Sequence, residues 1–241
     1  MSESKELTVL AITKMHGGVC TAGIDDSGTW IRPIRRPSTH DREQTGITDY
    51  SLLPVDFFHS GRSHLANLGV TRFQLVEPLS DPPHVEDWIM DPGRKPQLVR
   101  KLPGAEQADY LSRYVETDLR GLELHRSRSL SLIKPTSFSF VFRPNQTGDD
   151  VTVRTWFSIS GKDINNIGCT DLRMRALGRT LLEKSEGEPV DLTDKDFKRR
   201  GKDLTYLAVG LSRLYLGRNW LIVVGVHTIP ELDVEIDYAR L

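Results

Sequence analysis

SFSFVFRPNQTGDDVTVRTWFSI, residues 137–159, is the stretch on which the fold turns. Phe138, Phe140 and Phe142 recur at period two, so they line one face of a strand from Ser137 to Phe142. Pro144 to Asp150 carries an Asn, a Gly and two Asp, which is turn chemistry. Val151 to Ile159 then reads as the returning strand of a hairpin.

Outward from this hairpin the chain keeps a β character. On the C-terminal side Thr170 to Lys184 predicts a helix, with Thr170 as its cap and Leu172, Ala176, Leu177, Leu181 and Leu182 as its apolar stripe. Asp191 to Arg200 predicts a short charged helix. Leu204 to Leu211 and Trp220 to Val226 are apolar runs of the central-strand type, and Gly217 and Asn219 mark a turn between them. On the N-terminal side Ala105 to Val115 has helical spacing. Residues 92–104, with three prolines and four basic residues, read as a linker. Glu6 to Lys14, Val19 to Ile24 and Thr29 to Ile34 form a meander with turns at His16-Gly17-Gly18 and Asp25 to Gly28. Pro33 removes a ladder donor, so the third strand is expected to fray or lie at an edge. Residues 36–67 are polar loop with an apolar patch at Leu52 to Phe58, Gly69 to Pro78 is a strand, and Asp81 to Trp88 is extended or turn-like.

The expected fold is therefore mainly β, a β-barrel architecture with α+β elements in two tandem units. Residues 1–104 form the first, 105–136 a helical connector, and 137–241 the second, with an inserted helix. A chain of 241 residues can bury such cores without staples. Two distant cysteines, Cys20 and Cys169, form neither a disulfide framework nor a zinc motif, so a reducing, cytoplasmic setting is expected. No run approaches a membrane span or a secretion signal, and no membrane partner is expected. Lys plus Arg number 32 against 33 Asp plus Glu, so any basic surface must come from local clustering.

Three segments carry a family resemblance: VCTAGIDDSGTWIRPI (19–34), SLSLIKP (129–135) and GKDLTYLAVGLSRLYLGRNWLIVVGVHTIP (201–230). Together they resemble the dual OB-containing domain family of prokaryotes, with Ser131 where that pattern has glycine. The resemblance implies two OB-like barrels in tandem. It also implies a nucleic-acid or nucleotide ligand, and protein partners in phage-defence settings. It implies no catalytic signature, and fold alone does not fix function.

Single-strand binding by OB barrels needs aromatics beside cations. Trp30 with Lys14, Arg32, Arg35, Arg36 and Arg42 is the first such set, against the reading that Trp30 is core and the arginines a solvated rim. His125, Arg126, Arg128 and Lys134 form a second set suited to phosphates, against a merely soluble linker. Lys198, Arg199, Arg200 and Lys202, continuing to Arg213 and Arg218, form a third, diluted by Asp194, Asp196 and Asp203. Arg213 ranks first among single positions because it ends an apolar strand. Cys20 lacks an activating base. His84, Glu86 and Asp87 resemble a metal or acid–base cluster, but only two ligands are local and His59, His64 or His227 would have to complete it. There is no phosphate-binding glycine loop, GxSxG or HExxH, so no cofactor is expected. Binding suits the chain better than catalysis. The competing readings are an enzyme acting on nucleotides or nucleic acid, and a non-catalytic subunit or small-ligand sensor.

Overall fold

The computed structural model describes residues 2–15, 18–36, 50–124 and 126–241. They fall into two compact units, Met1–Leu102 with Tyr238–Leu241, and Pro103–Asp237.

The first unit contains β1 (Glu3–Met15), β2 (Gly18–Ile24), β3 (Trp30–Ile34), a single helical turn α1 (Pro54–Phe57), the small hairpin β4 (Phe58–His59) and β5 (Arg62–Ser63), then β6 (Gly69–Pro78), β7 (Asp87–Met90) and β8 (Gln97–Lys101). β1 is long enough to serve two neighbours. Glu3 to Thr8 pair with β6, and Thr8 to Met15 pair with β2. β2 pairs with β3, β3 runs parallel to β7, and β7 returns to β6. The circuit β1-β2-β3-β7-β6-β1 is a closed five-stranded barrel, which leaves no free edge among its members. The partner change on β1 comes beside Gly23, where an added Cβ would lie 2.3 Å from the Thr8 carbonyl oxygen. Only glycine lets the two backbones approach that closely.

The second unit contains α2 (Gly104–Tyr114), α3 (Arg120–Glu123), β9 (Leu130–Ile133), β10 (Ser137–Pro144), β11 (Val151–Ile159), β12 (Lys162–Cys169), α4 (Leu172–Lys184), β13 (Val190–Thr193), α5 (Asp194–Arg199), β14 (Leu204–Leu211) and β15 (Leu221–Ile229). Its sheet order is β13-β10-β11-β12-β15-β14-β9, with β12 parallel to β15. The five strands β10, β11, β12, β14 and β15 thus repeat the 1-2-3-5-4 order of the first unit, including the parallel third-to-fifth pair. That order is the OB arrangement, and both units have it. They differ in closure: the edge of β10 is taken by β13 and the edge of β14 by β9. Phe138, Phe140 and Phe142 point inward as their spacing requires, with Phe197 of α5 against the first two rings at 5.2 and 5.8 Å.

Several local expectations change. The third strand is neither frayed nor at an edge. β3 lies between β2 and β7, and the β2 ladder reaches only Trp30 and Ile31, so Pro33 deprives it of nothing. The stretch 92–104 is not a bare linker, because β8 pairs with the Gly69–Arg72 end of β6. Residues 105–136 contain α2, α3 and the sheet strand β9, and they cluster with the second unit. α4 is capped by Asp171 rather than Thr170: its carboxylate accepts from the Arg173 and Met174 amides, and also from Val226 on β15. The Asp191–Arg200 stretch divides into β13 and α5, whose cap is Thr193. No helix among the described residues is long and apolar enough to cross a membrane.

Candidate nucleic-acid interface

The expected Trp30–Arg32 platform is internal. Every residue of β3 is buried, with Trp30 at 8% exposure, and every residue of β2 except Cys20 is buried too. Arg32 is held inside by Asp87, Nε donating to Oδ1 at 2.6 Å. A buried cation needs such a partner, and its direction is thereby fixed inward. The neighbouring cations are likewise engaged. Lys14 donates to the Arg240 carbonyl, Arg35 lies 3.6 Å from Asp56, and Arg36 pairs with Glu77 at 2.6 Å. Arg42 lies outside the described residues, as do His125 and the turn residues His16 and Gly17.

The other predicted residues belong to the second unit. Arg128 pairs with Glu116, whose carboxyl burial pushes above its ordinary range against the pull of that same arginine. Arg126 is exposed, with left-handed backbone (φ 46°). Lys134, just past β9, lies 5.7 Å over the Tyr206 ring. Arg199 pairs with Asp196, and Lys202 donates to the Glu231 carbonyl. Arg213 sits half-buried at the base of the β14–β15 hairpin. His84, Glu86 and Asp87 are all buried, Asp87 as the partner of Arg32, whose amide donates to the Glu86 carbonyl at 2.8 Å. Among the described residues no group of three His, Cys, Asp or Glu is placed to hold a metal ion. Neither cysteine is in a disulfide, and burial beside Asp171 pushes the Cys169 thiol far up, which keeps it unreactive.

The aromatic-plus-cation pattern sought on β3 occurs instead on β11. Val151, Val153, Thr155, Phe157 and Ile159 face inward, so Thr152, Arg154, Trp156 and Ser158 face outward. Trp156 is half-buried and stands opposite Ser139 on β10. The Arg154 Nε donates to the Asn166 Oδ1 at 3.0 Å, which leaves the terminal nitrogens as donors. Asn166 (φ 54°) lies where the β11–β12 register shifts. Next to Arg154 on β12 is Gly168, and across it Ile222 on β15. A Cβ at Gly168 would meet Arg154 Nη1 at 3.6 Å and Ile222 at 3.8 Å, so the guanidinium lies over the bare glycine, next to Ile222.

β15, the partner of β12 here, is one arm of the β14–β15 hairpin. Trp220 immediately precedes β15, two residues before Ile222. The Arg218 guanidinium stacks 3.3 Å from the centre of the Trp220 ring, and the Trp220 indole N–H donates to the Tyr215 carbonyl. The tip is a tight turn in which Tyr215 and Arg218 exchange backbone hydrogen bonds, with Leu216 (φ 52°) and Gly217 (φ 78°) both left-handed. Leu214, Tyr215 and Leu216 stand 65–79% exposed around it. On the other flank of Trp156 is a groove of about 300 Å³ lined by Ser137, Ser139, Ser158, Asp163 and Asn165 among others. Its hydroxyl, amide and carboxylate groups can satisfy the donors and acceptors of a base edge.

These residues were legible in VTVRTWFSI, since period two puts Arg154 and Trp156 on its polar face. The nearness of the β14–β15 hairpin was not, because it depends on β12 pairing with strands on both sides. The model of the family described as dual OB-containing domain matches residues 5–226. No curated protein matches the chain.

Proposed function

Since the chain belongs to the dual OB-containing domain family, we propose that it binds single-stranded nucleic acid across the β11-β12-β15 face of its second unit. This is the strand 2–3 face and the loop between strands 4 and 5, the region by which OB barrels bind oligonucleotides. One observation carries the reading: Arg154 and Trp156 point outward from β11, and its neighbour β12 pairs with β15 of the hairpin that bears the Arg218–Trp220 stack. Stacking surfaces accept any base, while the arginines and Arg143, exposed on β10, supply charge for the backbone. Near-neutral net charge fits a local contact of this kind better than long-range capture.

The test is fluorescence anisotropy with a labelled, mixed-sequence DNA 12-mer carrying 5′- and 3′-hydroxyl ends. Binding is expected at low salt, and about two to three phosphate contacts give a log–log salt slope near −2. Trp156→Ala is expected to weaken binding roughly 5- to 150-fold, the equivalent of one lost stack. No binding at low salt, or full affinity in Trp156→Ala, removes this reading.

A further inference from the structure

The first unit holds a cleft that the strand-binding face does not involve. It lies between the β4–β5 hairpin, the outer side of β6 and the segment leading into β8, and has a volume of about 540 Å³. That is the size range of small-molecule sites. Its walls carry His59, His64, Arg72, Arg94, Lys95 and Gln97. Three permanent cations and two imidazoles thus meet in one concavity. Two carboxylates oppose them from nearby: Glu6 on Arg72, and Asp91 at 3.9 Å from Arg94.

The hydrogen bonds already made leave donors pointing at the cavity. The His64 Nδ1 accepts from the Leu98 amide at 3.3 Å, so the proton of the neutral ring sits on Nε2. Glu6 takes Nε and Nη2 of Arg72 and leaves Nη1. Lys95 spends one proton on the Phe58 carbonyl at 2.8 Å and keeps two. The His59 and His64 rings lie edge to face, with centres 6.0 Å apart. With arginine and lysine beside them, the imidazoles form a donor wall for an anion rather than a cation site.

We propose that this cleft binds a phosphomonoester on a molecule of mononucleotide size. A dianionic phosphate has the oxygens to engage Arg72, Lys95 and His64 together, and such charge-assisted bonds are the strong ones. The volume left over accommodates the rest of a mononucleotide. The phosphate comes either from a free nucleotide or from the 5′ end of a strand, and the two are separable by experiment.

Isothermal titration calorimetry on the full chain is the test, with AMP, adenosine, inorganic phosphate, and a tetranucleotide with and without a 5′-phosphate. AMP is expected to bind one per chain and adenosine at least about tenfold more weakly, since it lacks the charged acceptor. The double variant His59→Ala/Lys95→Ala, both at exposed positions, is expected to weaken AMP at least about tenfold with an unchanged circular dichroism spectrum. Preference for the 5′-phosphorylated tetranucleotide over AMP, lost in the same variant, upholds the phosphate site and names the strand end as its source. No binding of AMP, phosphate or the 5′-phosphorylated tetranucleotide up to millimolar concentration overturns the proposal, as does binding that the double variant leaves intact. Because the 12-mer used for the second unit has no terminal phosphate, failure of one site is read separately from failure of the other.

Discussion

Arg32 and Arg154 stand in the same local pattern, an arginine two residues from a tryptophan on a β-strand, and they do opposite things. Arg32 is buried at 8% exposure against Asp87, which is itself fully buried. Removing one partner leaves an unpaired charge in the barrel, so Asp87→Ala is expected to destabilise the first unit by about 3–5 kcal/mol. Urea denaturation followed by fluorescence measures this. A loss under 1 kcal/mol would mean that water reaches the arginine. Among the described residues Arg154 has no carboxylate hydrogen-bond partner; Asn166 orients it without neutralising it. That difference separates a structural cation from one available to a ligand, and on the proposed function it makes Trp156 rather than Trp30 the candidate stacking residue.

At the scale of elements, the β14–β15 hairpin and α5 make contrasting predictions. Leu216 holds a left-handed conformation that strains a side chain by about 1 kcal/mol or more. Leu216→Gly is therefore expected to raise the stability of the second unit by up to about 1 kcal/mol while weakening oligonucleotide binding, because the exposed tip is lost. Denaturation and anisotropy on one preparation check both signs, and lost affinity without gained stability would argue against strain at this turn. In α5 the Asp196 carboxylate accepts from the Thr193 hydroxyl and amide and from Arg199, which hold it well below the ordinary aspartate range. A carboxylate depressed in the folded state contributes stability above its unfolded value of 3.8, and that contribution is lost as pH falls through the folded value. The first turn of α5 should therefore stay protected at pH 4 in wild type and open in Asp196→Asn. Amide exchange at Lys198 to Arg200 reports it, and equal protection in the two proteins would count against the cap.

For the whole molecule, two barrels of one strand order are completed in different ways. The first is closed by β1 changing partner, and Tyr238 packs its ring 5.5 and 5.1 Å from Phe57 and Phe58. Tyr238→Ala is expected to destabilise the first unit by about 1–3 kcal/mol through two lost ring pairs. The second unit should hardly respond. Hydrogen exchange resolves them, with β1 and β6 reporting one unit and β11 and β14 the other. An equal loss in both units would mean that they unfold as one body.

The sequence alone determined the strands and what alternates along them. Val151–Ile159 and Leu204–Leu211 form with the bounds their patterns predict, and the phenylalanines of β10 face the core. Alternation is a local property of extended backbone, so it is written in consecutive residues. It fixes which side chains share a face, but not what that face meets. Only the tertiary structure decided that Trp30 lies on a covered face and Trp156 on an open one, that β8 joins β6, and that His59, His64, Arg72 and Lys95 border one cleft. Each of these depends on pairing between segments far apart in the chain, and the free energy that selects such pairings is burial over the whole fold.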